Sequence, residues 1–371
     1  MLEYFTAAKG RVAAAVEKAL SGSSARYDRV SPGLGADAAR RLAEFSSRGK
    51  MIRGCLVRLG YELAAGRAPR DDDEAALDRA GAAMELFQSG LLVHDDIMDR
   101  DRVRRGFPTL HVGYEEALRA GGYEDPPHYG EALGICSGDL AYFLAFELLA
   151  ELPIPAERAL SASRIAAAEL CLVGVAQMQD VANGALRPGA ANPFRDAPAE
   201  PNEADVIRLY RYKTGRYTFS LALALGAAIA GASGDTRATL EAAGEELGVL
   251  FQLKDDELGL FADEAELGKP VGADLREDKK TPFRLRLMAK AEAADRERLS
   301  GIYGNRMAGA AELSYVQDAL ARYGVRAELR AEMEGYARRA VDGLADLLGA
   351  TTPAAAAAWR ELVAYSLERR S

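Results

Sequence analysis

The chain has 371 residues, of which 49% are hydrophobic and 28% are charged, as is typical of a globular protein with a sizeable core. This composition excludes a disordered or collagen-like chain. Its 47 Lys and Arg residues against 56 Asp and Glu residues give a net charge of −9. That balance argues against a general nucleic-acid coat or a protein that binds anionic membranes, so we expect no nucleic-acid partner.

The three cysteines are far apart in the sequence and form no CxxC pair. Cys55, Cys136 and Cys171 therefore indicate neither a disulfide framework nor a zinc cluster, and they fit a reducing compartment. The N-terminal residues contain no basic segment leading into an apolar run, so no secretory signal is predicted. We therefore expect a cytoplasmic protein.

Apolar residues recur mainly at intervals of three and four, and alternating β-branched runs are scarce, which predicts an all-α fold. In chain order, the clearest helices are predicted at 75–99, 205–231 and 237–261. Loops of Pro/Gly-rich composition are predicted at Gly121–His128, Gly184–Glu203 and Ala350–Pro353. Since none of these is a secure domain linker, residues 1–371 are expected to form a single large helical domain.

One uncharged stretch, Tyr217–Gly234, approaches the roughly 18–20 residues that span a bilayer. It is rich in Ala, Gly and Ser and follows a basic, hydroxylated segment, which favours a buried core helix over a membrane span. We therefore expect no stable membrane insertion.

The first acidic motif ends the apolar run Met84–Val93. Asp95 and Asp99 are four residues apart, which places both carboxylates on one helical face. The carboxylates repel each other there, and the C-terminal helix dipole disfavours each of them by a few tenths to about 1 kcal/mol, so we expect a compensating cation. An isolated motif of this kind is also typical of a solvated helix end.

A second acidic motif, FQLKDDE at Phe251–Glu257, lies on another apolar helix. Asp255 and Asp256 are its adjacent aspartates, and two such helices suggest carboxylates on opposing walls of one cavity. Carboxylate oxygens without nearby His or Cys suit Mg²⁺, especially when substrate phosphates complete its coordination. The sequence contains no GxSxG, Cys/His arrangement or P-loop that would indicate a different chemistry.

Basic residues accompany both acidic motifs, as a site for a metal-bound diphosphate requires. Lys50 and Arg53 are three residues apart, on one predicted helical face, and Arg104 and Arg105 follow the first aspartates. Further basic residues stand in the segments YKTG, GKP and KKT, at Lys213, Lys269 and Lys279. Each alone is typical of a protein surface, whereas their joint placement indicates a diphosphate site.

The segments GKMIR, FQSGLLVHDDIMD, RRG, YKTGRYTF, FQLKDD and GKPVGADL occur in an order and at a spacing that resembles the trans-isoprenyl diphosphate synthases, or polyprenyl synthetases. The resemblance extends from about residue 45 to residue 285, and the flanking helices are compatible with it. It implies an all-helical bundle around a central cavity and a homodimer. The implied reaction joins isopentenyl diphosphate to an allylic diphosphate, and the released pyrophosphate takes the final proton.

The resemblance also implies roles for residues at matching motif positions. Three Mg²⁺ ions would be bound by Asp95, Asp96, Asp99, Asp255 and Asp256. The catalytic residues would be Asp95, Asp99, Lys213 and Asp255. The allylic diphosphate would be held by Arg104, Lys213, Thr214, Gln252 and Lys269. Isopentenyl diphosphate would be held by Lys50, Arg53, Gln88 and Arg105, with Lys279 as a further substrate-binding position.

Several positions depart from the family pattern. Gly259 stands where many members have a third Asp, and Gln88 stands where many bacterial members have His. Asp278 replaces the Gly that commonly precedes the Lys matched by Lys279, which weakens that assignment. The insertions around 121–128 and 186–202 are longer than typical, and we expect them to lengthen surface loops rather than to cap the site.

Product length is predicted from the residues one turn before the first aspartates, which are expected to line the tunnel for the growing chain. Gly90 and Leu91 are small or medium in size, so this level is expected to be open. Phe87, one turn deeper, would close the tunnel if its ring points inward. The predicted product is geranylgeranyl diphosphate, with a longer prenyl chain and then farnesyl diphosphate as alternatives.

Two other functions are compatible with parts of the sequence. A class I terpene cyclase would ordinarily have a hydroxyl residue and a Glu in its second motif, where this chain has Gly259 and Asp263. A cyclase also has no use for an isopentenyl site at Lys50, Arg53 and Arg105. A non-catalytic subunit of a heteromeric synthase could lose its aspartates, but DDIMD is intact here and only Gly259 favours that alternative.

Overall fold

The computed structural model describes residues 3–186, 189–194, 196, 198–262 and 272–369. Helices account for nearly all the regular structure in these ranges, which confirms the predicted all-α class. The named strands there are β1 (Val103–Arg104) and β2 (Phe107–Pro108), which pair in antiparallel orientation.

The N-terminal helices are α1 (Glu3–Asp28), α2 (Leu34–Ser47), α3 (Ile52–Ala65), α4 (Asp71–Met98), α5 (Leu110–Ala120), α6 (Pro126–Ala150) and α7 (Ala156–Gly184). They are followed by α8 (Glu203–Tyr210), a π-helical segment (Arg211–Ser220), α9 (Leu221–Ala230) and α10 (Gly234–Phe261). The C-terminal part contains helices Ala273–Arg276, Pro282–Lys290, Ala293–Ile302, Ala310–Arg322, Val325–Asp342, Ala345–Ala350 and Pro353–Glu368.

The helices predicted at 75–99 and 237–261 are confirmed as α4 and α10. The stretch 205–231 is helical as predicted, but a π-helical segment separates α8 from α9. The loop predicted at Gly121–His128 is too long, because α6 already begins at Pro126. Proline has no N–H to leave unpaired and its fixed φ suits the first helical turn, so it starts this helix instead of extending the loop.

The chain divides into two compact units. The first comprises Met1–Ala167, Leu221–Ala238 and Asp346–Ala358, and the second comprises Ala168–Ser220, Thr239–Ala345 and Trp359–Ser371. The single-domain interpretation of residues 1–371 stays a prediction.

In the first unit, α3 and α9 pack with their backbones in close contact. A Cβ on Gly60 would lie 2.5 Å from Leu223 O, and a Cβ on Gly226 would lie 2.2 Å from Val57 O, so only glycine fits at either position. The apolar residues of α9 from Leu221 to Ile229 are buried. This part of the uncharged stretch therefore forms a core helix, as the sequence analysis predicted.

In the second unit, α10 and the π-helical segment meet at a pair of glycines. A Cβ on Gly248 would lie 2.0 Å from Gly215 Cα, so neither residue can carry a side chain without moving the other backbone. Trp359 is fully buried and its Nε1 donates a hydrogen bond to Ala340 O at 3.0 Å. The core of this unit thus fixes the relative positions of the YKTG segment and the second acidic motif.

By length and composition, α6 and α7 could each cross a membrane, and only 39% and 28% of their most apolar stretches are buried. Two such helices are by themselves weak evidence for a membrane protein. The sequence analysis had instead singled out the stretch that contains α9.

Candidate active site

The first acidic motif forms the last turn of α4. Asp99 is the C-cap of this helix, and its backbone N–H donates to Asp95 O at 2.8 Å, so the two residues lie one turn apart as their spacing predicts. The Asp95 side chain is 24% exposed, whereas the Asp96 side chain is fully buried. The three aspartates therefore differ in their access to a ligand.

Arg104 provides the cation that the sequence analysis expected beside these carboxylates. Its Nε donates a hydrogen bond to Asp96 Oδ1, and its Nη2 lies 3.8 Å from Asp95 Oδ2. Burial raises the pKa of Asp96 to about 6, and the charge of Arg104 acts in the opposite direction. Asp96 Oδ2 is buried without a hydrogen-bond partner among the described residues.

The β1–β2 hairpin carries Arg104 on its first strand and Arg105 in its turn. Arg105 and Gly106 have φ angles of 54° and 79°, and two successive positive φ angles are characteristic of the tight turns of two-residue hairpins. The Arg105 Nη1 atom lies 3.4 Å from the place that a Cβ on Gly49 would occupy. The turn thus brings Arg105 next to the GKMIR segment.

The GKMIR segment differs from the predicted single helical face. Helix α3 begins only at Ile52, and Met51 is its N-cap with the left-handed φ of 54°. Lys50 lies before the helix and is exposed, whereas Arg53 is in its first turn and half-buried. The expectation that Lys50 and Arg53 share a helical face is therefore wrong, because the left-handed residue between them reverses the backbone.

The predicted chain-length residues lie on α4, facing α6. Phe87 is fully buried, and its ring packs edge-on against Phe146 with 4.9 Å between ring centroids. A Cβ on Gly90 would meet Tyr142 Cε1 at 2.7 Å, so the Tyr142 ring fills the space beside this glycine. The chain-length roles of Gly90, of Phe87 and of the half-buried Leu91 stay predictions.

In the second motif, Asp255 is paired with an arginine close to the C-terminus. Arg369 Nη2 donates to Asp255 Oδ1 at 2.6 Å and to Phe251 O at 2.9 Å. The same guanidinium lies 3.8 Å from the centroid of the Phe251 ring, within the range of a cation–π contact. The Asp255 side chain remains 42% exposed, so it is accessible to a ligand.

Asp256 is buried beside Asp255 and has different partners. Tyr210 Oη donates to Asp256 Oδ2 at 2.5 Å, and Lys279 Nζ lies 3.9 Å from Asp256 Oδ1. Burial raises the pKa of Asp256 to about 7, and the charge of Lys279 acts against that shift. Asp256 Oδ1 has no hydrogen-bond partner in the described part of the chain.

Asp274 takes the place of the side chain that Gly259 lacks. A Cβ on Gly259 would lie 3.0 Å from Asp274 Oδ2, so the two positions are adjacent. Lys279 Nζ lies 3.5 Å from Asp274 Oδ1 as well as near Asp256. This unit therefore has a third carboxylate close to the position where many polyprenyl synthetases have their third aspartate.

The π-helical segment Arg211–Ser220 carries Lys213 and Thr214. Thr214 Oγ1 donates to Gln252 Oε1 at 3.2 Å, which joins this segment to the second motif. Lys213 Nζ donates to the carboxylate of Asp180. Such segments widen a helix locally and occur often at functional sites.

The predicted site residues thus fall into one group in each unit. The first group contains Lys50, Arg53, Gln88, Asp95, Asp96, Asp99, Arg104 and Arg105, and the second contains Lys213, Thr214, Gln252, Asp255, Asp256 and Lys279. Lys269 lies outside the described residues. Four residues of the site lie outside the predicted set: Tyr142, Tyr210, Asp274 and Arg369. Of these only Asp274 has a signal in the sequence, since it stands in the segment GKPVGADL.

Both groups fit magnesium bound together with a diphosphate. Among the described residues, no group of three or more His, Cys, Asp or Glu side chains is arranged to hold a metal ion. Mg²⁺ keeps several waters and commonly binds one or two carboxylates plus substrate phosphates, so paired aspartates suffice. Asp96 and Asp256 each have one buried oxygen that makes no hydrogen bond among the described residues, and such carboxylate oxygens are ligands that this ion prefers.

Comparison with known proteins gives a consistent result. A sequence model of the family described as Polyprenyl synthetase matches residues 39–320. A geranylgeranyl diphosphate synthase of Sulfolobus acidocaldarius is 32% identical over 302 residues, which cover 81% of each protein. A geranylfarnesyl diphosphate synthase of Aeropyrum pernix is 30% identical over 246 residues, 66% of this chain and 67% of that protein.

A solved structure is also similar along the whole chain. The geranylgeranyl pyrophosphate synthase of Corynebacterium glutamicum, complexed with isoprenyl diphosphate and magnesium, superposes with a TM-score of 0.83. It is 26% identical, and the match covers 100% of both chains.

Proposed function

Because the chain belongs to the polyprenyl synthetase family, we propose that it joins isopentenyl diphosphate to allylic diphosphates and stops at geranylgeranyl diphosphate. The chain is a prenyl diphosphate synthase, a transferase of prenyl groups. The observation that carries the proposal is that each unit has a pair of adjacent aspartates next to cationic side chains. In each pair one aspartate is buried, with an oxygen that makes no hydrogen bond among the described residues.

The reaction breaks the bond between the allylic carbon and its diphosphate oxygen and forms a carbon–carbon bond to the double bond of isopentenyl diphosphate. The proton lost from the new chain is taken up by the released pyrophosphate. When bound, Mg²⁺ supplies Lewis-acid stabilisation of the negative charge that develops on the leaving diphosphate.

In this proposal different aspartates would bind the three ions. We assign two ions to Asp95 and Asp99, whose side chains share the last turn of α4, and one ion to the partly exposed Asp255. Asp96 and Asp256 contact Arg104 and Tyr210, and each would offer its other oxygen as a further ligand. In this proposal the carboxylate of Asp274 compensates for the aspartate that is missing at position 259.

The basic residues orient the two substrates. Arg104 and Lys213 now pair with carboxylates, so each can exchange a carboxylate for a phosphate oxygen without losing its counter-charge. With Thr214, Gln252 and Lys269 they bind the allylic diphosphate. The isopentenyl diphosphate is bound by Lys50, Arg53, Gln88 and Arg105. Fixing both diphosphates places the two reacting carbons side by side, which lowers the entropic part of the barrier.

The proposal includes a homodimer, with α6 and α7 at the interface. Phe143 on α6 is 70% exposed, and Val175 and Met178 on α7 are 65% and 73% exposed. Exposed apolar surface of this kind is typical of protein–protein or membrane interaction sites, and a second copy of the chain is the occupant proposed here. We accordingly propose a cytoplasmic homodimer in which residues 1–371 act as a single catalytic domain.

The deciding experiment is product analysis by mass spectrometry. The purified protein is incubated with Mg²⁺, isopentenyl diphosphate and, in separate reactions, dimethylallyl, geranyl or farnesyl diphosphate. We expect all three primers to be extended to geranylgeranyl diphosphate. Failure of the folded protein to extend any primer would refute the catalytic role and leave cyclisation or a partner subunit to be tested.

The matched variants are Asp95→Asn and Asp78→Asn, which change the same side chain on the same helix. Asp78 pairs with Arg11 on α1, away from the acidic motif. Loss of a carboxylate that binds the ions should lower kcat at least about a hundredfold in the first variant, of the order seen when a group stabilising transition-state charge is removed. Equal activities of the two variants would contradict the role given to Asp95.

The dimer is tested separately by sedimentation velocity. The wild-type protein should sediment as a dimer, and Phe143→Glu, which places a charge in the interface, should shift it toward the monomer. A wild-type monomer at micromolar concentration would refute this part of the proposal.

A further inference from the structure

Glu85 is a buried carboxylate on α4 to which neither the sequence motifs nor the reaction assigns a role. Its side chain is among the buried charged groups, with the residue 5% exposed. Glu85 Oε1 accepts a hydrogen bond from the backbone N–H of Gly54 at 2.8 Å. Gly54 is the third residue of α3, so this glutamate pairs one of the N–H groups that a helix leaves unsatisfied at its start.

The bond matters because α3 has no side-chain cap of its own. Its N-cap, Met51, makes no capping hydrogen bond and has a left-handed backbone with φ 54°. A non-glycine residue in that region is strained by about 1–2 kcal/mol and persists only where the surroundings enforce it. Glu85, on the neighbouring helix α4, therefore holds the first turn of α3 directly after the left-handed Met51. Lys50 and Arg53 lie on either side of this strained position.

Glu85 also interacts electrostatically with two arginines of the predicted isopentenyl diphosphate site. Burial raises the pKa of its carboxyl, whereas the Gly54 N–H and the charges of Arg53 and Arg105 act in the opposite direction. Burial lowers the pKa of Arg105, as do the charges of Arg104 and Arg53, and Glu85 opposes that shift. Arg105 Nη1 lies 3.4 Å from the place that a Cβ on Gly49 would occupy, so Arg105 lies against the turn between Gly49 and Gly54, which carries Arg53 and whose end is held by Glu85.

We propose that Glu85 is a positioning residue for the isopentenyl diphosphate site, holding Arg53 and Arg105 in the arrangement that receives the diphosphate. The proposal rests on the proposed function. Glu85 cannot bind the diphosphate itself, because two buried anions would repel each other. It acts through its two arginine neighbours and through the turn before α3, so the binding of isopentenyl diphosphate should depend on its negative charge.

The test is Glu85→Gln in the full-length protein. Glutamine keeps the shape of the side chain and an oxygen that accepts from Gly54, but it removes the charge. We expect the KM for isopentenyl diphosphate to rise about tenfold, the effect of losing one charge-assisted interaction, while the KM for farnesyl diphosphate and kcat stay within about twofold. A matched control is Glu62→Gln, since Glu62 is equally buried, at 5%, but accepts from Tyr4 Oη at 2.9 Å.

Glu85→Asp gives the complementary measurement. Aspartate keeps the charge on a shorter side chain, so the Glu85→Asp variant should bind isopentenyl diphosphate more tightly than the Glu85→Gln variant. The two affinities should rank in the same order when they are measured by calorimetry without an allylic substrate. Circular dichroism and thermal unfolding confirm that each variant is folded. If Glu85→Gln unfolds, the Asp variant and its calorimetric affinity decide the question.

Two results would overturn the proposal. One is an unchanged KM for isopentenyl diphosphate in Glu85→Gln, which would leave Glu85 with a structural role only. The other is an equal rise of both KM values, which would indicate general distortion. Both are distinct from failure of the proposed function, because that failure would appear in the wild-type protein as an absence of elongation.

Discussion

Replacing Phe87 with alanine tests whether its ring limits the length of the product. The ring is fully buried on α4, two turns before Asp95, and it contacts Phe146 of α6 edge to face. It lies one helical turn, about 5.4 Å, deeper than Leu91. If the ring closes the tunnel, its removal opens at least one further level, and Phe87→Ala should convert part of the product to chains longer than geranylgeranyl diphosphate.

The stability cost follows from the same contacts. Truncating a fully buried Phe typically costs about 3–5 kcal/mol, and the edge-to-face pair with Phe146 is included in that loss. For a domain of about 150–250 residues each kcal/mol lowers Tm by about 2–4 °C, so Tm should fall by roughly 6–20 °C. Products are measured by mass spectrometry with farnesyl diphosphate as primer, well below the lowered Tm.

Leu86→Ala is the matched control, because Leu86 is also fully buried on α4 but points to another face of the helix. It should lose stability, by about 2–5 kcal/mol, without any change in product length. An unchanged product distribution in Phe87→Ala would refute the reasoning. The same lengthening in both variants would show that loosening of α4, and not removal of this ring, alters the product.

Three further outcomes are expected. Burial raises the pKa of the Cys55 thiol to about 12, so iodoacetamide at pH 8 should label the exposed Cys136 and Cys171 in the native protein but not Cys55, and peptide mapping of a third adduct would contradict this. The hydrogen bond from Arg58 lowers the pKa of Glu74, so the stability it contributes should be fully present above about pH 4.5 and be lost as pH falls through the lowered pKa. The difference in Tm between Glu74→Gln and the wild type should therefore shrink in acid, and a constant difference would refute the assignment. EDTA should abolish condensation and added Mg²⁺ should restore it; activity that persists in EDTA would contradict the metal requirement.

The sequence predicts the helical class and the main helices because their signal is local. An apolar face repeats every three to four residues whatever lies opposite it, and α4 and α10 end close to the predicted positions. The start of α6 at Pro126 and the π-helical turn at Arg211–Ser220 were not predicted. Within the second of these, Gly215 contacts Gly248, which is distant in sequence, and no local pattern reveals that contact.

The site residues were predictable where a motif carries them, and their partners were not. The spacing of Asp95 and Asp99 indicated a shared face, and the need for a cation beside them was correctly inferred from electrostatics. What lies beside Gly90 cannot be predicted from the sequence, because a glycine indicates only that its own side chain is missing. In the structure that space is filled by Tyr142, which belongs to another helix.

The partners of the acidic motifs offset part of the cost of placing carboxylates in the protein. A buried carboxylate without a counter-charge is costly, yet Asp96 has Arg104 and Asp255 has Arg369. Asp256 has Tyr210 as a hydrogen-bond donor. A metal ion that binds these aspartate oxygens must displace or share the side chains that contact them. The arginines can therefore bind a diphosphate only when the aspartates gain another counter-charge.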